Sequence, residues 1–244
     1  MKIIIKRFNS ELDTPNFTSE YTVNKSNLLQ VFIEIKTKND NSLTFRCGCK
    51  SGVCGSCAVR VNGFEKLACK TVIHENDIIE PIKNSHIIKD LVVDVSHETS
   101  LIAKMGLSIN SDNDINKVTQ DDIKNIDLQS NCILCNSCYS SCPVYEVNKE
   151  FLGPFALTRA IRYVNDKKLL NKATILDSIQ TNGIWDCTLC SACTLVCPQS
   201  IDPKADIMQL QNISVQNGYS NPYTQNLDFN SFGDDFGGFN PNGF

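Results

Sequence analysis

Thirteen cysteines constrain this 244-residue chain more than any other feature of its sequence. They fall into three groups, and none lies between positions 70 and 131. Disulfides are rare in cytosolic proteins, so dense cysteine without a signal-peptide core more often indicates metal ligation. The groups are Cys47, Cys49, Cys54, Cys57 and Cys69; then Cys132, Cys135, Cys138 and Cys142; then Cys187, Cys190, Cys193 and Cys197.

The second and third groups share one spacing, Cys-x2-Cys-x2-Cys-x3-Cys followed by proline. This spacing is typical of ferredoxin-type [4Fe–4S] proteins, in which the fourth cysteine of each run ligates the other cluster. Three thiolates on one tight loop can reach three corners of a cubane, while the fourth points away. We therefore predict a cluster A held by Cys132, Cys135, Cys138 and Cys197, and a cluster B held by Cys142, Cys187, Cys190 and Cys193.

The first group matches the plant-type [2Fe–2S] spacing, with four residues between the first two ligands and two before the third. Glycines at positions 48, 52 and 55 let backbone N–H groups of this loop approach the cluster sulfurs. Cys47 is predicted to be a non-ligand thiol, because its spacing to Cys54 departs from the pattern. The predicted [2Fe–2S] ligands are Cys49, Cys54, Cys57 and Cys69.

Structural zinc is the alternative interpretation of the same cysteines. Zinc sites usually combine pairs of closely spaced ligands, whereas this chain has two runs of four with a trailing proline. A Rieske centre would need two histidine ligands on one cluster. The three histidines, His74, His86 and His97, lie outside any Cys-x-His motif, and we interpret them as ordinary polar residues.

The distribution of residue types divides the chain into four parts and predicts an α+β fold. Residues 1–96 indicate mixed β structure with one helix, including a hairpin about Asn62-Gly63. Residues 97–125 predict a connector with short helices, and residues 126–216 predict a helical domain with both cubane clusters. Residues 217–244, without Lys or Arg, predict a disordered tail or a segment that orders against a partner.

Several functional classes are disfavoured by composition and missing motifs. No apolar run approaches the roughly 18 residues of a membrane-spanning helix, and a net charge of −4 argues against nucleic acid as a partner. The three-residue apolar run near the N-terminus is too short for a signal peptide, so we expect export only with a partner's signal. No nucleotide fingerprint or catalytic triad is evident, which predicts electron transfer without a substrate site on this chain.

The cluster order, a plant-type [2Fe–2S] motif before two ferredoxin runs, resembles the iron–sulfur subunit of succinate dehydrogenase and fumarate reductase. The resemblance covers about residues 1–215, nearly all of the chain except its tail. The segments that carry it are 45–49, 52–57, 62–71, Lys89-Asp90-Leu91-Val92-Val93-Asp94, Phe151-Leu152-Gly153-Pro154 and Arg162-Tyr163.

This resemblance implies an N-terminal β-grasp [2Fe–2S] ferredoxin domain followed by an α-helical ferredoxin domain. It implies an FAD-containing flavoprotein partner, where succinate and fumarate interconvert, facing the [2Fe–2S] domain. It also implies a third, anchor subunit with quinone at or near it, and a peripheral position on the inner (plasma) membrane, on the cytoplasmic side. The complex would serve the tricarboxylic acid cycle or anaerobic respiration, and the direction of turnover stays open.

Two departures from the familiar quinone-linked members favour an unconventional branch. Those members lack the second cysteine of the last run and hold a [3Fe–4S] cluster, whereas Cys190 fills that position here. Cluster B is therefore expected to be [4Fe–4S], or [3Fe–4S] without Cys190. The usual tryptophans and histidine of the quinone pocket are replaced by Val144-Tyr145-Glu146-Val147 and Thr188. The pattern is similar to the iron–sulfur subunit of thiol:fumarate reductase or methylmenaquinol:fumarate reductase, which implies a cysteine-rich, heterodisulfide-reductase-like third subunit.

Two other redox roles stay open at the level of sequence. One is a free-standing multi-cluster electron carrier, which should be stable and soluble without partners. The other is the electron-transfer subunit of a different flavoenzyme, such as a glycolate or glycerol-3-phosphate oxidoreductase, although the [2Fe–2S] half argues against it. Analysis of iron and acid-labile sulfide would separate all of these from a structural zinc protein.

Overall fold

The architecture of residues 1–109 and 117–224 is described by a computed structural model. Strands dominate the first hundred residues and helices dominate the remainder, so the predicted α+β class is confirmed. Most of the predicted tail, residues 225–244, lies outside the described residues. Within the described ranges, no helix is both long and apolar enough to cross a membrane.

Five strands form one mixed sheet in the N-terminal half. They are β1 (Lys2–Phe8), β2 (Asn16–Thr22), β3 (Ala58–Val61), β4 (Phe64–Leu67) and β5 (Ile78–Glu80). Their order across the sheet is β2-β1-β5-β3-β4. Neighbouring strands are antiparallel except β1 and β5, which are parallel and pair Ile4 with Ile78. The parallel pair therefore joins the first strand to the hairpin that follows the predicted [2Fe–2S] loop.

Helix α1 (Leu28–Glu34) packs against this sheet and continues as a short π-helix, Ile35–Asn39. Its cap is Asn27, whose side chain accepts a hydrogen bond from the Gln30 amide at 3.2 Å. The sequence pattern indicates Ser26 as the cap, and that prediction is wrong by one residue. The buried face of α1 and alternate residues of β1 form the first hydrophobic core, which includes Ile3, Ile5, Leu28, Val31, Phe32, Ile35 and Ile79.

The predicted hairpin turn lies where expected, between β3 and β4. Asn62 and Gly63 both have positive φ, 52° and 86°, as the two central residues of a type I′ turn require. The Asn62 side chain also donates to Asp77 at 2.7 Å and accepts from the Ile78 amide at 2.9 Å. The turn is therefore tied to the start of β5, which fixes the hairpin that carries Cys69 behind its second strand.

A second hairpin, β6 (His86–Lys89) and β7 (Val92–Asp94), surrounds a buried ion pair that sequence analysis did not identify. Asp90, in the turn, is fully buried and accepts two hydrogen bonds from the guanidinium of Arg7, at 2.9 and 3.0 Å. Asp40 accepts a third at 2.5 Å. Burial disfavours the charged guanidinium, yet the hydrogen bond and charge of Asp90 raise the pKa of Arg7 above its usual value.

We expect Asp90→Asn to destabilise the chain by about 3–5 kcal/mol, because it removes the fully buried partner of Arg7 and leaves only the partly exposed Asp40 to compensate that charge. Asn tolerates the left-handed backbone of position 90, where φ is 48°. The loss of stability would therefore reflect the missing charge and not backbone strain. The unfolding midpoint of the cluster-loaded chain measures it. The control is Glu150→Gln, which breaks an exposed pair with Lys104 at 2.8 Å and should cost under about 1 kcal/mol. Equal losses in both variants would contradict this interpretation.

Among its described residues, the C-terminal half has eight helices around a second core. Its centre is α6, in which every residue except Arg159, Arg162 and Tyr163 is buried. The hydroxyl of the fully buried Tyr139 donates to the Leu152 carbonyl just before this helix. The helices are α2 (Ser96–Lys104), α3 (Gln120–Ser130), α4 (Ser137–Ser140), α5 (Pro143–Val147), α6 (Pro154–Val164), α7 (Ala173–Ser178), α8 (Ala192–Leu195) and α9 (Pro203–Gln216).

Helices α2 and α3 lie in the predicted connector, which was expected to contain short helices, and both pack against α6. Helix α2 contributes Leu101, which is fully buried among the residues of the C-terminal half. Helix α3 begins with a capping box, in which Thr119 and Asp122 satisfy each other's backbone N–H groups. Helix α3 continues past the predicted boundary at residue 125, is mostly polar, and buries only Ile126.

Candidate iron–sulfur cluster sites

The loop of the predicted [2Fe–2S] site lies between α1 and β3 and places its thiols at different depths. Cys49 is exposed, Cys54 is half-buried, and Cys57 and Cys69 are buried. Backbone amides point at the sulfurs: Ser51 and Val53 each donate to Cys49 Sγ at 3.4 Å, and Cys49 donates to Cys54 Sγ at 3.3 Å. Such donors stabilise thiolate charge, so this backbone is already shaped to hold a negatively charged cluster.

Two thiols of this loop have opposite pKa shifts, for clear physical reasons. Hydrogen bonds from Ser51, and then from the Val53 amide and Cys54, lower the pKa of Cys49 to about 5. Burial raises the pKa of Cys57 to about 11, with further repulsion from Cys69 and Cys54. The exposed side of the loop therefore favours thiolate without help, whereas the buried side needs a cationic partner such as iron to ionise its thiol.

The four cysteines of predicted cluster A line one cavity. It is walled by the loop before α4, by the start of α6 and by the segment after α8. Cys132, Cys135 and Cys138 come from the first run, and Cys197 comes from the second, 59 positions after Cys138. The remaining wall is largely apolar and includes Ile133, Leu134, Phe155, Pro198, Ile201 and Pro203. This apolar lining suits a cofactor that must exchange electrons without contact with water.

The four cysteines of predicted cluster B line a second cavity in the helical half. Cys187, Cys190 and Cys193 belong to the last run, and Cys142 arrives from the first. The Tyr145 amide donates to Cys142 Sγ at 3.5 Å, and the Leu189 amide donates to Cys187 Sγ at 3.4 Å. The structure thus brings together both sets of four, including the exchanged fourth cysteines.

The two ligand loops have the same backbone. Leu134 and Leu189, each two residues after the first cysteine, have φ values of 52° and 54°. Asn136 and Ser191, each following the second cysteine, have φ values of 67° and 68° and cap α4 and α8. Positive φ is costly for such residues and persists only where the surrounding structure requires it. Cys190 therefore occupies the position in its loop that Cys135 occupies in the other.

Electrostatic repulsion among the thiols mostly follows the same two sets, although Cys138 of the first set is also repelled by Cys193 of the second. Burial first, and then repulsion from Cys187 and Cys190, raises the pKa of Cys142. Burial likewise raises the pKa of Cys132, with repulsion from Cys135 and Cys197 and an opposing effect of the Arg159 charge. Four thiolates in such an apolar cavity need cationic compensation, which iron provides. The donor sets therefore fit iron–sulfur clusters.

A single metal ion fits the same residues less well. Zinc holds its four sulfurs about 2.3 Å from one centre, which requires a tight gathering of ligands. Within residues 1–109 and 117–224, no group of three or more His, Cys, Asp or Glu side chains forms such a gathering. The cysteines instead line the walls of larger cavities, and neither cubane cavity is lined by a histidine.

The three sites contact one another in a fixed order. A Cβ atom on Gly55, in the [2Fe–2S] loop, would lie 2.8 Å from Cys135 Cβ and 2.9 Å from the Ile133 carbonyl oxygen. The Gln199 amide group, two residues after Cys197, donates to the Gly52 carbonyl at 3.0 Å. Within the helical half, α4 packs against α8, and these helices carry Cys138 and Cys193, predicted ligands of clusters A and B. The site of cluster A therefore lies between the other two.

Both halves of the chain match known protein families. One family model, a 2Fe-2S iron-sulfur cluster binding domain, matches residues 2–100, and another, a 4Fe-4S dicluster domain, matches residues 129–201. The fumarate reductase iron-sulfur subunit of Haemophilus influenzae is 35% identical over 232 residues, covering 86% of this chain and 91% of that protein. The chain belongs to the family of fumarate reductase and succinate dehydrogenase iron–sulfur subunits.

Two further relatives of this iron–sulfur subunit bear on its branch and its fold. The 8-methylmenaquinol:fumarate reductase iron-sulfur subunit of Wolinella succinogenes is 33% identical over 238 residues, covering 89% of this chain and 74% of that protein. A chain of the Mycobacterium smegmatis Sdh1 complex in the apo form matches with a TM-score of 0.80 at 24% identity, covering 90% of this chain and 97% of that one. The fold is thus shared, while identities of 35% and 33% do not separate the branches.

As a member of this family, the subunit carries [2Fe–2S] and [4Fe–4S] clusters, as its sequence predicted. Cys47 is exposed and lines neither cubane cavity. Sequence analysis did not identify Ser51, Ser137 or Gln199, which contact the ligand loops through hydrogen bonds. Each lies within two residues of a cysteine, and that proximity alone is too common to identify a functional residue from the sequence.

Proposed function

We propose that this subunit passes single electrons between an FAD-containing flavoprotein subunit and a third, anchor subunit of a succinate dehydrogenase/fumarate reductase complex. Its family membership makes it the electron-transfer component of such an oxidoreductase. When bound, the clusters supply reversible one-electron oxidation and reduction. The chain itself holds them in line, shields them from water and donates hydrogen bonds to their sulfurs. No substrate-binding role is assigned to it.

The proposed ligands are those predicted from the spacing. The [2Fe–2S] cluster is held by Cys49, Cys54, Cys57 and Cys69. Cluster A is held by Cys132, Cys135, Cys138 and Cys197, and cluster B by Cys142, Cys187, Cys190 and Cys193. Support comes from the two cavities, each lined by one complete set of four cysteines.

The observation that carries the proposed relay is that each end site has one exposed cysteine and the middle site has none. Cys49 at one end and Cys190 at the other are exposed, whereas Cys138 of cluster A is buried and the other three cysteines of that cluster are half-buried. Large apolar side chains lie at the surface near both ends: Val53 is 64% exposed and Val147 is 86% exposed. We therefore propose that electrons enter and leave at the ends, where partners can dock.

We also propose the domain division suggested by the sequence, 1–96 and 126–216 with a connector at 97–125. It is supported by two separate hydrophobic cores, one spanning Ile3 to Val93 and the other Leu101 to Leu210. The N-terminal domain is proposed to be a β-grasp fold, because its five-stranded mixed sheet is crossed by α1 between β2 and β3.

The finer assignments concern the branch and the cell. We propose the flavoprotein at the [2Fe–2S] end, and a cysteine-rich, heterodisulfide-reductase-like anchor with quinone nearby at the cluster B end. The complex is proposed to lie peripherally on the cytoplasmic side of the inner membrane. The support is Cys190, which occupies a ligand position equivalent to that of Cys135 and favours a full [4Fe–4S] cluster B.

The test is anaerobic purification of the complex through a tag on this chain, followed by assays of fumarate reduction and succinate oxidation. We expect a flavin-bearing partner with either activity, together with a third subunit. Val53→Asp should release the flavoprotein, whereas Phe64→Asp, at a side chain that is 65% exposed on the hairpin turn, should not. A chain that purifies alone, fully loaded and inactive in both assays, would favour a free carrier or another flavoenzyme.

We expect Cys190→Ser to change cluster B from [4Fe–4S] to [3Fe–4S], or to shift its potential, while cluster A survives. Loss of one thiolate removes the partner of one iron atom, and serine is a poorer ligand for that iron. Electron paramagnetic resonance spectra of both variants and the parent measure this. Cys47→Ser, at another exposed cysteine, is the control and should leave all three signals intact. Unchanged spectra in Cys190→Ser would remove Cys190 from the ligand set.

A further inference from the structure

A cationic side chain lies half-buried beside the first ligand of cluster A. Arg159, in the middle of α6, donates from Nη2 to the backbone carbonyl of Cys132 at 3.1 Å. Its Nε is buried and finds no hydrogen-bond acceptor among the described residues. The guanidinium is thus placed by one contact to the ligand loop, while part of its hydrogen-bonding capacity stays unused.

The charge of Arg159 is not compensated by an acid. Its neighbour one turn later, Arg162, forms an ion pair with Asp166 at 3.6 Å, but no carboxylate within residues 1–109 and 117–224 pairs with Arg159. Asp206 lies behind Thr158 in the cavity wall, accepting from that hydroxyl at 2.7 Å. Burial raises the pKa of Asp206, and the hydrogen bonds that it accepts from Gln129 and Thr158 oppose this shift. Among the described residues, the positive charge of Arg159 therefore acts on the Cys132 side of the cavity without a carboxylate paired to it.

We propose that Arg159 raises the reduction potential of cluster A and thereby sets the middle step of the electron relay. The physical reason is Coulombic, because reduction adds one negative charge to the cluster and the half-buried guanidinium attracts it across a poorly solvated wall. The step moves one electron and no proton. This inference rests on the proposed ligands of cluster A.

The position of cluster A between the other two gives this charge its consequence. Every electron that crosses the chain must reside on cluster A. The reduction potential of cluster A therefore determines the free-energy cost of moving an electron onto it. A neutral side chain at 159 would make arrival of the electron on cluster A less favourable from either neighbouring cluster, and its departure more favourable. Arg159 acts on the cluster through its charge and is not a catalytic residue.

The test is a redox titration of the purified complex, followed by electron paramagnetic resonance, in four variants. We expect Arg159→Gln and Arg159→Met to make reduction of cluster A about tenfold less favourable, which is about 59 mV for a one-electron couple. Arg159→Lys should restore most of the parent value. Arg162→Gln, on the same helix but with its charge already paired, should leave it unchanged, and clusters at the other two sites should shift less.

Two results would overturn the proposal. An unchanged midpoint of cluster A in both neutral variants would mean that the charge does not act on it. Loss of cluster A from both neutral variants would mean that the guanidinium holds the ligand loop instead of tuning it. Failure of the underlying ligand assignment is distinguishable, because Cys132→Ser and Cys197→Ser, introduced separately into the parent complex, would then change the signals of two different clusters.

Discussion

Exchanging Cys142 and Cys190 together for alanine should remove one cluster from the subunit, whereas exchanging Cys138 and Cys142 together should take one ligand from each of two clusters. The first pair comes from different runs but lines the same cavity. The second pair comes from one run, yet its members line different cavities. Iron analysis should give a loss of about four iron atoms per chain for the first pair, and of about two for the second as both cubanes become [3Fe–4S].

This comparison depends only on which cysteines share a cluster, so each double variant is the control for the other. If each run held its own cluster, the pattern would be reversed: exchanging Cys138 and Cys142 together would remove one cluster, and exchanging Cys142 and Cys190 together would take one ligand from each of two clusters. Acid-labile sulfide measured on the same samples separates loss of a whole cluster from loss of one iron. The reversed pattern would contradict both proposed cubane assignments.

Gly55→Ala should push the [2Fe–2S] loop away from the loop of cluster A and slow electron transfer between them. Its added Cβ would meet the backbone of Cys135, at 2.9 Å from Cα, and no flexible side-chain end is available to move aside. Positive φ, here 71°, adds about 1–2 kcal/mol of strain, and the overlap adds about 1–3 kcal/mol. We expect a lower unfolding midpoint and slower reduction of cluster A after the [2Fe–2S] cluster is reduced.

Gly63→Ala separates strain from overlap. Gly63 has an equally positive φ of 86°, but its Cβ would meet only the flexible end of Arg60, at 3.6 Å. It should lose about 1–2 kcal/mol of stability and keep the parent rate of transfer between clusters. Freeze-quenched electron paramagnetic resonance spectra measure that rate. Equal rates in the two variants would mean that contact between the loops does not govern the transfer.

The spacing of the cysteines predicted which thiols line each cubane cavity, because the spacing decides which cysteines share one loop. A run of Cys-x2-Cys-x2-Cys closes one loop, so Cys132 to Cys138 had to lie together, and the exchange of Cys142 and Cys197 followed from the direction of the fourth side chain. The Asn62-Gly63 turn was equally predictable, since few dipeptides tolerate two positive φ values.

Long-range contacts were not predictable in the same way. Arg7 and Asp90 lie 83 positions apart, and neither has a local signal for burial. The approach of Gly55 to Cys135 depends on how two halves of the chain pack, which spacing within one loop does not reveal. The position of Arg159 one carbonyl away from cluster A likewise required the packing of α6. Local features, such as cysteine spacing and turns, could be predicted from the sequence. The long-range contacts that bring the cluster sites together could not.

The central claim, a continuous relay through three clusters, is tested most directly by reoxidation with fumarate. The purified complex is first reduced fully with dithionite, and excess dithionite is removed under anaerobic conditions. Fumarate is then added, and the electron paramagnetic resonance signals of the three clusters are followed over time. We expect all three signals to disappear, since electrons reach the flavoprotein only through this chain. Signals of clusters A and B that persist with fumarate, yet disappear with ferricyanide, would contradict the relay.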